Sequence, residues 1–206
     1  MSWQIELRQV GKFFNDRPVL KGISARVTAP GAWTIVGPNG SGKSTLLRII
    51  AGLLTPSEGE VVYLHNGERL TAQRKRQAVG MVAPDIALYR SLTALENLRF
   101  CARARGLKVR DGDLLRLLEQ VQLRPRAHDT VATFSTGMVQ RLKLLTALVH
   151  RPPVLLLDEP GSNLDEAGMY LIREIVREQA TQGIVLVATN DTRELDYGEP
   201  LVRLGS

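Results

Sequence analysis

The chain is poor in cysteine and histidine, and it carries no long apolar run. Its single cysteine, Cys101, excludes an internal disulfide and fits a reducing compartment. Cys101 falls in an apolar, helix-like stretch with Leu98 and Phe100, where a small buried hydrophobe is expected rather than a nucleophile. The three histidines are not spaced as metal ligands, so no metal site built from His or Cys is expected. No stretch approaches the ~20 apolar residues that a membrane helix needs. The longest apolar runs, around 153–157 and 183–188, are strand-sized. Residues 1–10 alternate polar and apolar types, so no signal peptide is expected. Any membrane role must then come through a partner. The net charge of +6 is not gathered into one block. Basic residues spread through 69–76, 99–110, 116–126 and 141–151, with acids interrupting some of these stretches. They read as solvated faces, with an electrostatic partner as the alternative, and nucleic acid is not expected as a partner.

What is present is enough for one α/β domain, or one domain with a small lobe. The chain has 206 residues, of which 44% are apolar and 23% charged, and it can bury a sizeable core. Trp3, Ile5 and Leu7 alternate with polar residues, and so do Ile23, Ala25 and Val27. The pattern predicts two half-exposed strands with a turn at 15–18. Short apolar runs at 33–36, 79–83, 154–158 and 184–189 predict buried parallel strands. Further strands are expected at 61–64 and 201–204, and helices near 43–53, 138–149 and 168–181. The 138–149 helix reads as amphipathic. Leu92, Leu95 and Leu98 form one helical stripe, and Leu114, Leu117, Leu118 and Val121 form another. The fold class expected is α/β, with a mainly parallel sheet, an N-terminal antiparallel β portion and an inserted helical lobe. The core would run over about 1–84 and 136–206 and the lobe over about 85–135, in a single domain of residues 1–206.

Two segments carry chemistry. Gly37, Pro38, Asn39, Gly40, Ser41, Gly42, Lys43 and Ser44 fit the G-x-x-x-x-G-K-[ST] loop, placed between a predicted strand and a predicted helix. Glycines let successive backbone N–H groups point at phosphate oxygens, and the helix N-terminus adds partial positive charge. Lys43 should reach the β- and γ-phosphates of ATP, and Ser44 should ligate Mg²⁺. Thr45 is counted with the nucleotide-binding residues. The strand at 154–158 ends in Asp158 and Glu159, at the edge of the sheet where open α/β folds bind ligands. Asp158 should bind Mg²⁺ through water, and Glu159 should act as general base on the attacking water.

Phe134, Ser135, Thr136, Gly137, Met138, Val139, Gln140 and Arg141 resemble the signature loop of ABC transporter ATPases in its S-x-G-M-x-Q-R form. With the two segments above, the resemblance covers essentially the whole chain. It implies that Ser135 and Gly137 hold the γ-phosphate bound on the opposite subunit of a head-to-tail dimer. It also implies that Asp165, in the 162–165 segment, links the two sites, although as a residue that segment also reads as a helix cap. Phe14 matches the aromatic that stacks on adenine, with Phe13 as the neighbouring alternative. The partners implied are a second copy of the chain and transmembrane permease subunits, with peripheral placement at the cytoplasmic face of the inner or plasma membrane.

Two positions depart from the family pattern. Pro84 stands where the family has a glutamine, and Asn190 where it has a histidine. Asn190 can hydrogen-bond a phosphate oxygen but cannot carry a proton at neutral pH, so it is a catalytic candidate in a slow ATPase. Within the family the chain most resembles the ATPase subunit of the haem exporter of cytochrome c maturation. That likeness rests on the 92–98 segment and on the absence of a long extension after 204. The alternatives are the ATPase of another ABC-2-type exporter of drug, lipid or polysaccharide, a cytosolic ABC protein, or a nucleotide-gated adaptor.

Overall fold

The computed structural model describes residues 2–205. Strand β1 (Trp3–Phe14) and strand β2 (Arg17–Thr28) form a hairpin joined by Asn15 and Asp16 alone. Both loop residues have positive φ, 46° and 62°, which suits the right-handed twist of a two-residue hairpin. The turn is thus tighter than the expected 15–18. Pro18 lies inside β2 and is tolerated there because β2 is an edge strand.

Strand β3 (Gly31–Val36) runs into the glycine-rich loop and helix α1 (Lys43–Ile50). The helix ends three residues before the expected Leu53. Gly52 adopts φ 74°, and the Leu53 N–H closes back on the Arg48 carbonyl at 2.9 Å. Leu53 looked like the continuation of an apolar face, but it is exposed. Strand β4 (Glu58–His65) and the short β5 (Glu68–Arg69) complete an antiparallel sheet ordered β2-β1-β4-β5. Helix α2 (Ala72–Ala78) follows, capped by the Thr71 side chain. Its polar sequence gives no periodic signal for a helix.

Strand β6 (Val79–Val82) leads to helices α3 (Ala94–Ala104), α4 (Asp111–Gln120) and α5 (Thr136–Leu148). Strand β7 (Val154–Asp158), helix α6 (Glu166–Ala180), strand β8 (Ile184–Thr189) and strand β9 (Glu199–Arg203) close the chain. The second sheet is parallel throughout, in the order β6-β7-β8-β3-β9. Every residue of β7 and β8 is buried, because both faces of these central strands are covered. Leu156, Leu186 and Ala188 pack toward α1 and the antiparallel sheet. Leu155, Leu157, Val185 and Val187 pack toward α5 and α6.

A third cluster joins Leu95 and Leu98 of α3, Leu114 and Leu118 of α4, and Leu142 and Leu145 of α5. Leu144 and Ala147 of α5 face the parallel sheet instead. Helix α5 is therefore apolar on two sides and not amphipathic as its sequence suggested. It is the element shared between the sheet and the helical bundle. This arrangement brings the loops after β3, β6, β7 and β8 to one edge, at the C-terminal ends of the parallel strands.

Candidate nucleotide site

The loop from Gly37 to Gly42 wraps over the N-terminus of α1. Gly40 and Gly42 have φ of 80° and 98°, which L side chains rarely adopt. A Cβ on Gly37 would stand 2.6 Å from the Leu204 carbonyl oxygen, so the loop cannot hold a larger residue there. Gly42 caps α1 without a side-chain hydrogen bond, and the helix has no acid in its first turn. Its leading N–H groups and positive dipole end are free to meet an anion.

Lys43 is only 4% exposed. Its ammonium donates to the carbonyls of Gly37 at 2.8 Å and Pro38 at 3.1 Å, and it stands 3.8 Å from Oε1 of Glu159. The lysine is folded onto its own loop, beside a cavity of about 450 Å³ lined by Val19, Asn39, Gly40, Gly42, Lys43, Ser44, Thr45 and Glu159. Val19 reaches this cavity from β2. An apolar strand residue carries no ligand signal in the sequence. Phe14 sits at the hairpin tip, 46% exposed, with the Lys12 ammonium 5.1 Å from its ring centre. Neither Phe14 nor Phe13 lines this cavity.

Asp158 ends β7 fully buried, and neither of its carboxylate oxygens has a hydrogen-bond partner within normal geometry. Burial pushes its pKa up. The nearby Ser44 hydroxyl pulls it down, the Glu159 charge raises it, and Arg48 and Lys43 lower it. An orphaned buried carboxylate beside a serine hydroxyl is a donor set suited to a hard dication such as Mg²⁺. Without the ion it is a liability, because the ionised form is easier to hold in the unfolded chain. This group's contribution to stability is therefore greatest below the unfolded carboxylate pKa and falls as pH rises toward the raised folded value. Asp158→Asn is expected to stabilise the nucleotide-free fold at pH 7 by about 1 kcal/mol or more. The same variant should lose the rise in melting temperature that Mg-ADP gives the wild type. Calorimetric melting with and without Mg-ADP measures both.

Glu159 is held in the left-handed region, φ 49°, with its N–H on the Ala188 carbonyl at 2.8 Å. Asn190, at the end of β8, donates from Nδ2 to Oδ1 of Asn39 at 2.7 Å. Its amide is thus tied to the phosphate loop itself. At the departure after β6, the Pro84 carbonyl accepts from the Lys143 ammonium at 3.0 Å, and Asp85 pairs with Arg48 at 3.1 Å.

Ser135 and Gly137 sit at the start of α5, against the segment that follows Glu159. Ser135 caps α5, accepting from the Met138 N–H at 3.3 Å. Gly137 abuts Leu164, and Asp165 caps α6 by accepting from the Gly168 N–H at 2.8 Å. None of the three lines the 450 Å³ cavity.

A glycine-rich loop between a buried parallel strand and a helix, faced by an acidic strand end, defines a P-loop nucleotide-binding domain. Residues 20–162 match the family model "ABC transporter". The chain is 37% identical over 194 residues to the uncharacterized ABC transporter ATP-binding protein YdbJ of Bacillus subtilis, covering 93% of this chain and 63% of that protein. It is 33% identical over 195 residues to the linearmycin resistance ATP-binding protein LnrL of B. subtilis, covering 92% and 62%. It is 36% identical over 195 residues to the Nod factor export ATP-binding protein I of Sinorhizobium fredii, covering 93% and 57%. Among solved structures, it resembles the ATP-binding cassette MJ0796, a dimer in a post-hydrolysis state with ADP and Pi. The TM-score is 0.82 at 27% identity, covering 98% of this chain and 97% of that one. The chain belongs to the ABC transporter family. It spans about three fifths of the length of these three relatives.

Proposed function

We propose that the chain hydrolyses ATP to energise a separate membrane subunit of an ABC-2-type exporter. The observation that carries this reading is the meeting of Lys43, Ser44, Asp158 and Glu159 at one end of the parallel sheet, with the buried Asp158 carboxylate unpartnered. The names of two relatives point to linearmycin resistance and Nod factor export, which favours a general exporter over the narrower haem-export expectation.

In this reading the backbone N–H groups from Gly40 to Thr45 receive the phosphates. Lys43 exchanges the Gly37 and Pro38 carbonyls for β- and γ-phosphate oxygens. Ser44 and Asp158 would hold Mg²⁺, which would supply charge neutralisation. The Glu159 carboxylate takes a proton from water as that water attacks the γ-phosphorus and the bond to the ADP oxygen breaks. Asn190 positions the phosphate loop through Asn39. Phe14, exposed at the hairpin tip, would stack on adenine. Ser135 and Gly137 do not line their own chain's cavity, which supports a head-to-tail dimer in which each copy completes the other's site. Asp165 would then lie at the junction.

For the membrane partner, the surface near 82–100 offers Tyr89 and Phe100. They are half-exposed and in edge contact at 4.8 Å. The buried Asn97 side chain fixes this segment, accepting from the Tyr89 N–H and donating to the carbonyls of Tyr89 and Thr93. Arg99 is less available, since its guanidinium grips Asp111. A peripheral position at the cytoplasmic face of the membrane follows from such docking.

Steady-state phosphate release from Mg-ATP tests the reading. The wild type should turn over slowly but above the Glu159→Gln background. Asn190→Ala should lower kcat roughly two- to tenfold, the worth of one ordinary hydrogen bond. If the wild type binds Mg-ATP and shows no turnover above background even with its membrane partner, the nucleotide-gated adaptor takes the place of the enzyme.

A further inference from the structure

The turn after β7 is held from Glu159 to Ser162 by a run of hydrogen bonds. The Glu159 N–H donates to Ala188, and the Glu159 carbonyl accepts from the Ser162 N–H at 3.1 Å. The next peptide unit, between Pro160 and Gly161, is gripped at both ends by side chains from distant segments. Gln140 Nε2 of α5 donates to the Pro160 carbonyl at 3.0 Å. The Gly161 N–H donates to Oε1 of Glu194 at 2.6 Å. Glu194 lies in a short 3-10 helix, Thr192–Tyr197, just after Asn190.

Glu194 is a costly residue for this task. It is 1% exposed, burial raises its pKa against the pull of the Thr189 hydroxyl and the Gly161 N–H, and its Oε2 has no partner within normal hydrogen-bond geometry. A backbone carbonyl or a water could satisfy one N–H without burying a carboxyl group. The fit is also close. A Cβ on Gly161 would stand 2.3 Å from Oε1 of Glu194 and 2.3 Å from Sδ of Met169, so only glycine leaves room for the contact. Gln140 lies just over one turn beyond Ser135 on α5, and Glu194 four residues beyond Asn190. One peptide unit therefore joins the Ser135 loop, the Asn190 segment and the strained backbone of Glu159. A left-handed glutamate persists only where its surroundings over-determine it.

We propose that Gln140 and Glu194 are a pair of positioning residues. By clamping the 160–161 peptide they aim the Glu159 carboxylate and make its direction depend on α5 and on the segment after β8. This rests on the reading of Glu159 as general base. Neither residue touches the nucleotide cavity, so their loss should act on turnover and not on nucleotide affinity.

Glu194→Leu removes the acceptor at similar size, Glu194→Gln keeps a carbonyl oxygen in its place, and Gln140→Leu removes the donor. Glu194→Leu and Gln140→Leu should each lower kcat about ten- to a hundredfold while the Kd for ATP stays within about threefold. Glu194→Gln should recover most of the rate. The double Leu variant should be little slower than the worse single one, because both act on one peptide. In the wild type the Gly161 amide should exchange slowly with solvent deuterium, and in Glu194→Leu quickly. The proposal is overturned by a Glu194→Leu rate within twofold of the wild type, by equal losses in kcat and ATP affinity, or by fully additive single effects. If Glu194→Leu fails to fold, Gln140→Leu and Glu194→Gln decide alone, and normal kcat in Gln140→Leu overturns the proposal. If the wild type has no turnover, the ATPase reading fails. Gly161 exchange, slow in the wild type and in Glu194→Gln and fast in Glu194→Leu, then still decides whether the clamp exists.

Discussion

Glu159→Gln is expected to lower ATP turnover by about 10²- to 10⁴-fold, the usual contribution of a general base, while leaving ATP affinity nearly unchanged. The glutamine amide has the same shape and can keep the same rotamer, but it cannot accept a proton from water. The fold should tolerate the change. The Glu159 side chain stands 3.8 Å from the Lys43 ammonium and is partly exposed, so the ion pair it gives up contributes little to stability. Lys43 keeps its two carbonyl partners. The backbone restraints on residue 159 come from Ala188 and Ser162, and a side-chain substitution does not touch them. With chemistry blocked and binding intact, a head-to-tail dimer holding ATP should accumulate. Single-turnover phosphate release measures the first effect, and analytical sedimentation with Mg-ATP measures the second. Turnover within tenfold of the wild type would remove Glu159 from the role of base. A strictly monomeric variant at high protein and ATP concentration would count against the completion of each site by Ser135 and Gly137 of a second copy.

The loop and strand end that build the candidate site were legible because their signals are local. The glycine-rich loop requires particular residues at fixed offsets, and glycine at 40 and 42 answers a backbone need that no other residue meets cheaply. Asp158 and Glu159 follow an unbroken apolar strand, and such a run predicts a strand buried on both faces. What stayed illegible depends on contacts far apart in sequence. Helix α2 has no apolar stripe to reveal it, and α5 loses its amphipathic character because it is covered on two sides. Val19 enters the cavity only because the hairpin folds over the phosphate loop. Gln140 was visible as part of a motif, but its Pro160 partner was not. Glu194 reads as one acid among several in a polar turn, and only its burial and its Gly161 contact set it apart.

Lys43→Met is expected to weaken ATP binding by on the order of a hundredfold or more, with little loss of fold stability. Methionine matches the length of the lysine stem and removes only the ammonium. In the nucleotide-free protein that ammonium satisfies the carbonyls of Gly37 and Pro38. The loop borders the cavity of about 450 Å³, so a small shift of the loop lets water there take the place of the ammonium. In the nucleotide complex no such replacement is equivalent. Two charge-assisted hydrogen bonds to phosphate oxygens are lost, each worth about 1.5–3 kcal/mol, and one unit of positive charge disappears from a poorly solvated site. The sum of about 3–6 kcal/mol corresponds to roughly 10²- to 10⁴-fold in Kd, and the lower end is the firmer expectation because the wild-type lysine must first leave its carbonyls. Lys43→Arg keeps the charge but should recover little. The lysine side chain is almost fully enclosed, and the broader guanidinium fork does not fit the space of an ammonium. Titration calorimetry with ATP and with ADP separates the two phosphate contacts. ADP should lose less affinity than ATP, since it lacks the γ-oxygens. A Lys43→Met variant that binds ATP as tightly as the wild type would show that the phosphates do not rest on this loop, and the assignment of the cavity to nucleotide would fall with it.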